Sequence, residues 1–192
     1  MSRPAPLHSY TFEEYLELEA ASNIRHEFWN GDIFAMGGGT PAHAALAMSI
    51  GSALMSQLRG GPCRVFSSDL MIRIKASGVA TYPGITVVCG PLETDPQSAN
   101  TVVNPSVVVE VLSDSTAAYD RGEKLAQYKT IESLGAVLLV SQASRQIEVH
   151  RSGPQGWTTE VLGAGQTCAL ESIGVQLDVD TVYTDAGLSA GR

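Results

Sequence analysis

One seven-residue run, Ser-Val-Val-Val-Glu-Val-Leu at 106–112, constrains the fold of this chain more than any other segment. A strand that is apolar on both faces needs cover on both, which places it in the middle of a sheet flanked by helices. Ile-Thr-Val-Val-Cys at 85–89 reads the same way. Further strands are expected at 136–140 (AVLLV), 146–151 (QIEVHR) and 157–162 (WTTEVL). From Cys63 the period is two, with Phe66, Leu70, Ile72 and Ile74 on one side and Ser67, Asp69, Met71 and Arg73 on the other. A helix from about Asp120 to Ser133 interrupts the strands, and the interleaved order implies an α/β sandwich of mixed pairing.

The N-terminal part supplies its own start and stop signals. Thr11-Phe-Glu-Glu14 has the form of a capping box and predicts a helix to about Ala20. Asn30-Gly31 between two alternating runs predicts a hairpin over 25–36. Thr40-Pro41 suits an N-cap and first helical residue. The apolar stripe that follows is Ala44, Ala47, Met48, Ile50, Leu54 and Leu58, and Gly60-Gly61 ends it. One domain over residues 10–183 and a polar tail over 184–192 are expected.

Glu110 is the residue least at home in its surroundings. A lone ionised carboxylate is very costly to bury in an apolar strand. Two readings stand: a carboxylate paired with an arginine or with backbone donors, and a metal ligand on a rigid mount. Lys124 is the second anomaly, a cation in the first turn of its helix, where the macrodipole disfavours it. It shares the inward face with Tyr128 and Ile131, so it calls for an anion. Glu110 is one candidate; a salt bridge to Glu123 or Asp120 is the other.

Asp69 reads as a solvated aspartate or as a second carboxylate for a metal. Of the adjacent His26 and Glu27, only one can face inward on the hairpin. His43 stands in the first turn of its helix as a polar residue or a base. No GxSxG, Walker, GxGxxG or HExxH pattern occurs.

Charge excludes one class of function. With 20 acidic against 12 basic residues the net charge is −8, and the three lysines form no basic run. Steady nucleic-acid binding by electrostatics alone is therefore not expected. An enzyme that meets a polyanion through a metal ion remains compatible with an acidic chain. The longest apolar runs are too short to span a bilayer, and no signal peptide is expected at the N-terminus. Three widely spaced cysteines, Cys63, Cys89 and Cys168, suggest reduced thiols in a cytoplasmic protein.

Several segments then carry a resemblance. Tyr10-Thr-Phe-Glu-Glu-Tyr15, Arg25-His-Glu-Phe-Trp-Asn-Gly-Asp32, Tyr82-Pro83, Val109-Glu-Val-Leu-Ser-Asp-Ser-Thr116 and Asp120-Arg-Gly-Glu-Lys-Leu-Ala-Gln-Tyr128 follow one another as in the Uma family. That is a large group of bacterial restriction-endonuclease-like proteins in the PD-(D/E)XK nuclease superfamily. The resemblance extends over about 10–183 and is most specific over 109–128. It implies a restriction-endonuclease-like mixed β-sheet flanked by helices, with an N-terminal helix and hairpin. It also implies an endonuclease that uses Mg²⁺ (or Mn²⁺) to hydrolyse nucleic-acid phosphodiesters, with DNA the expected substrate.

By position, Glu110 resembles the acidic member of the (D/E)XK half. The lysine expected at 112 is Leu112 here, and in this family it corresponds to Lys124. Glu27, Asp69, Asp120 and Tyr128 fall on other motif positions. The resemblance assigns catalysis to Glu110, Lys124 and Glu27, metal binding to Glu110 and Asp69, and support to Asp120, Tyr128 and His43.

One position departs from the pattern. The family reads Pro-Asp where this chain reads Pro83-Gly84, and a glycine has no side chain with which to bind a metal. Three explanations stay open: a degenerate member, a residue changed in the laboratory, and Asp69 acting in its place. The expectation is a cytoplasmic nuclease weakened by Gly84. Its rival is a non-catalytic nuclease-fold protein that works through protein contacts as a homodimer.

Overall fold

The computed structural model describes residues 9–188. Helix α1 (Phe12–Ala21) starts with both halves of its capping box in place: the Thr11 backbone N–H donates to Glu14 Oε2 at 2.7 Å, and the Glu14 N–H donates to Thr11 Oγ1 at 3.2 Å. Strands β1 (His26–Trp29) and β2 (Asp32–Ala35) form the expected hairpin. Asn30 and Gly31 turn it with φ of 50° and 85°, the left-handed pair that a two-residue turn of this hand requires.

Helix α2 (Pro41–Gln57) is capped by the Thr40 hydroxyl, which accepts from the His43 N–H. Its stripe differs from the expected one. Leu46, Ile50 and Leu54, spaced by four, are fully buried, whereas Met48 points to solvent and is 73% exposed.

The strands beyond α2 fall into two principal sheets. The main sheet runs in the order β12 (Gly156–Gly163), β11 (Gln146–Gly153), β10 (Ala136–Ser141), β9 (Val107–Leu112), β6 (Ile85–Cys89), β3 (Cys63–Ser67). Its β9–β10 pair is parallel and its other pairs are antiparallel, so the pairing is mixed. The second sheet runs β2, β1, β5 (Ala80–Thr81), β4 (Met71–Arg73), β8 (Ser98–Val102), β7 (Thr94–Asp95). A small ladder of β13 (Thr167–Leu170) and β14 (Val175–Asp178) completes the strands.

Strand β9 is buried at all six positions, as its composition demands. Val107, Val109 and Val111 pack into a core with α2, β13, β14 and helix α5 (Val179–Asp185). Val108 and Leu112 pack on the opposite face with Leu125, Tyr128 and Ile131. A third cluster, around Phe12, Tyr15 and Phe28, joins α1 to the hairpin.

Three expectations are corrected. The period-two segment after Cys63 is not one strand: Leu70 N–H donates to the Ser67 carbonyl at 3.1 Å, and this turn sends β3 and β4 into different sheets. The helix expected from Asp120 to Ser133 instead comprises α3 (Ala117–Tyr119), a π-helical turn (Asp120–Lys124) and α4 (Leu125–Tyr128). Cys63 and Cys89 are not free thiols. They stand opposite each other in the β3–β6 ladder and form a disulfide, leaving Cys168 as a buried free thiol.

At the C-terminal end, α5 runs to Asp185 and Leu188 packs on the core, so residues 184–188 of the expected tail continue the fold. Residues 189–192 lie outside the described residues. No helix among the described residues is long and apolar enough to cross a membrane.

Candidate active site

Strand alternation decides where Glu110 points. It lies between Val108 and Leu112 and shares their face, so its carboxylate meets the helical segment that covers that side. There Lys124 Nζ approaches Glu110 Oε1 to 2.8 Å, and the Tyr128 hydroxyl donates to the same oxygen at 2.5 Å. Lys124 also reaches Glu27 Oε1 at 2.9 Å and Asp120 Oδ1 at 3.8 Å. The Thr81 hydroxyl donates to Glu27 in turn.

The backbone explains this convergence. The chain leaves the second sheet at Thr81 and enters the main sheet at Ile85, so only residues 82–84 separate the two sheets. Strand β5, carrying Thr81, pairs with β1, carrying Glu27, and β6 pairs with β9, carrying Glu110. On the helical side, the Leu125 N–H donates to the Asp120 carbonyl, five residues back. Such π-turns are rare and recur at functional sites. In this one both Asp120 and Lys124 are buried, each 5% exposed.

Burial would push the Lys124 ammonium down, but Glu110, Tyr128, Glu27 and Asp120 outweigh it and hold its pKa well above the usual value. Tyr128 is driven well up by burial and by the neighbouring Glu110 charge. Asp120 is raised to about 6, first by burial and then by Glu110, with Lys124 opposing. Three carboxylates thus share one ammonium, and the cluster keeps a surplus of negative charge at neutral pH.

Residue 84 belongs to the same place. Ile85 stands opposite Val109, so one step further along the ladder Gly84 stands opposite Glu110. A Cβ added at Gly84 would lie 3.1 Å from the Val109 carbonyl oxygen. An aspartate here would reach the Glu110 neighbourhood; the glycine offers nothing.

Two expected site residues are elsewhere. The Asp69 side chain is 78% exposed in the turn between β3 and β4 and pairs with Arg25 at 2.5 Å. His43 lies on α2, which covers the opposite face of the main sheet. Of the adjacent pair on β1, Glu27 joins the cluster, and His26 Nδ1 lies 2.8 Å from Glu19 Oε2. Thr81 escaped the sequence reading. Its position one residue before Tyr82-Pro83 was the available signal.

A hard divalent cation such as Mg²⁺ takes oxygen ligands at about 2.0–2.1 Å in octahedral array. The oxygens here are of the right kind, but they converge on the Lys124 ammonium. No group of three or more His, Cys, Asp or Glu among the described residues is placed to hold a metal ion. With no side chain at 84 and Asp69 directed to solvent, the residues present do not fit a firmly held Mg²⁺ or Mn²⁺.

Comparison with known proteins places these observations. The Uma2 family, described as "Putative restriction endonuclease", matches residues 12–180. An uncharacterised protein of Synechocystis sp. is 37% identical over 183 residues, covering 95% of both chains. A second one is 30% identical over 155 residues, covering 80% of this chain and 88% of its own length. Among solved structures, a protein from Anabaena variabilis described as "a putative nuclease belonging to DUF820" superposes with a TM-score of 0.75 at 19% identity. The match covers 94% of this chain and 99% of that one, and at this identity it speaks for the fold.

Proposed function

Because this chain belongs to the Uma2 family of restriction-endonuclease-like proteins, we propose that the cluster around Lys124 is a phosphodiesterase site for nucleic acid, weakened by Gly84. The observation that carries this reading is a buried ammonium held by Glu110 and Glu27 on two different sheets. Purely structural ion pairs of this cost are often replaceable by apolar residues without loss. Their placement beside a π-turn, next to residue 84, favours a site.

In this reading Lys124 offers positive charge to a non-bridging phosphate oxygen and to the charge that develops as water adds to phosphorus and the ester P–O bond breaks. Tyr128 and Lys124 together fix Glu110, and Thr81 fixes Glu27, so the lysine is held without a mobile partner. The surplus carboxylate charge repels a phosphodiester. A site built this way needs a further cation to accept its substrate, and Mg²⁺ (or Mn²⁺) is the proposed cofactor once residue 84 supplies a carboxylate. DNA is the proposed substrate, and cytoplasm the proposed location.

The test is cleavage of supercoiled plasmid and of oligonucleotides across a magnesium series, by the chain as it stands and by Gly84→Asp. The expected result is little or no cleavage by the first and magnesium-dependent cleavage by the second.

A second reading rests on the same Gly84 and on the lysine already compensated by its carboxylates. The protein would then be a non-catalytic nuclease-fold dimer acting through protein contacts. A dimer by light scattering, with no cleavage by either form, favours it.

A further inference from the structure

A chain of net charge −8 has few cations to spare. Arg25, Arg73, Arg121, Arg145 and Arg151 are each tied to a carboxylate. Arg59 and Arg64 are different: no ion pair within the described residues involves either, and both are exposed. They line one cavity of about 440 Å³, between the end of α2 and the outer strand β3, together with Met55 and Phe66. Leaving two arginines unpaired side by side in an acidic protein is unfavourable unless an anion meets them.

Their position relative to Glu110 follows from register. Arg64 stands opposite Val88, which packs on the same face of the main sheet as Val108 and Leu112. Arg64 therefore projects from the face that carries Glu110. Ser67 stands opposite Ile85, and Ile85 opposite Val109, so residue 68 is level with Glu110 two strands away. Arg64 lies four residues along from that level. With strands about 4.8 Å apart and about 3.3 Å per residue, Arg64 is about 16 Å from Glu110 across an open edge of the sheet. The Cys63–Cys89 disulfide pins the near end of β3 to β6 beneath this cavity.

We propose that Arg59 and Arg64 form a phosphate-binding foothold for the backbone of the nucleic acid whose phosphodiester reaches Lys124. The proposal rests on the nuclease reading above. At about 3.4 Å per nucleotide along one strand, 16 Å is about five nucleotide steps, so a duplex on this face brings a flanking phosphate to the arginines while another lies at Lys124. Guanidinium groups suit phosphate oxygens by their paired donors. Phosphate contacts of this kind set position and affinity without reading bases.

The test is fluorescence-anisotropy binding of a labelled 20-base-pair DNA duplex to the full chain, in EDTA, over a salt series. The variants are Arg59→Gln/Arg64→Gln and, as a control for loss of an exposed cation, Lys75→Gln. The double variant is expected to bind at least about tenfold more weakly for every duplex sequence. Its slope of log K against log salt should be shallower by about 2, one unit per lost phosphate contact, while Lys75→Gln changes neither. Equal affinity and slope for wild type and double variant overturn the foothold and leave the nuclease reading standing. Displacement of the duplex by polyglutamate as readily as by unlabelled DNA also overturns it, since the surface then accepts acidic protein. A wild type that binds no duplex at the lowest salt overturns both.

Discussion

Lys124 Nζ stands 2.8 Å from Glu110 Oε1, with the two side chains only 7% and 10% exposed. A buried pair of this kind is costly to break, because removing one partner strands the other charge in the interior.

Lys124→Met keeps the apolar stem and removes the charge. It is expected to destabilise the fold by about 3–5 kcal/mol at neutral pH. The stranded carboxylates hold a proton more tightly in the folded chain than in the unfolded one. The variant is therefore least impaired in acid, and its deficit grows as pH rises through the raised carboxylate pKa. In wild type the lysine pKa is itself raised, so its contribution is complete at neutral pH and is lost only on strong alkalinisation. Thermal melts of both proteins from pH 4 to pH 9 check this. Superimposable melts at every pH would reduce Lys124 to an ordinary lysine.

Asp120 gives the opposite pH signature. Its pKa is raised from 3.8 to about 6, so the folded chain binds the proton more tightly and stability falls as pH climbs through the interval between them. A shift of about two units corresponds to roughly 3 kcal/mol. Asp120→Asn should flatten the stability profile in that interval, and denaturant unfolding of both forms at pH 4, 5, 6 and 7 measures it. An unchanged profile would place the titration on another group.

The disulfide predicts a thiol count. Unfolded in denaturant without reductant, the chain should titrate one thiol, Cys168, and three after reduction. Closing a loop of 26 residues stabilises by about 3 kcal/mol in the chain-entropy account, so reduction should lower the melting temperature. Three thiols before reduction would refute the pairing.

The parts of this site that were legible in the sequence are those with an energetic oddity at a single residue. Glu110 betrayed itself as one charge in an apolar strand, and Lys124 as a cation at a helix start. Asp69 was misjudged because alternation was carried through a turn that the Ser67 and Leu70 backbone closes. Likewise, α2 was read with Met48 inward, although the burial of Leu46, Ile50 and Leu54 rotates the stripe away from it. The π-turn depends on how the segment packs over the sheet, and no residue within 120–124 announces it. The facing of Cys63 and Cys89 depends on strand register, which a separation of 26 residues does not reveal.

The central claim is that Glu110, Lys124 and residue 84 make one phosphodiesterase site. Its most direct test is the single-turnover rate of plasmid nicking in 10-fold steps of Mg²⁺ for Gly84→Asp, alone and combined with Glu110→Ala or Lys124→Met. The Cβ at 84 meets the Val109 carbonyl at 3.1 Å, so a shift of a few tenths of an ångström should admit the aspartate at modest cost in stability. The account predicts that Gly84→Asp nicks DNA in a magnesium-dependent manner and that either second substitution abolishes the gain. Magnesium-dependent nicking by Gly84→Asp that survives both Glu110→Ala and Lys124→Met would contradict it.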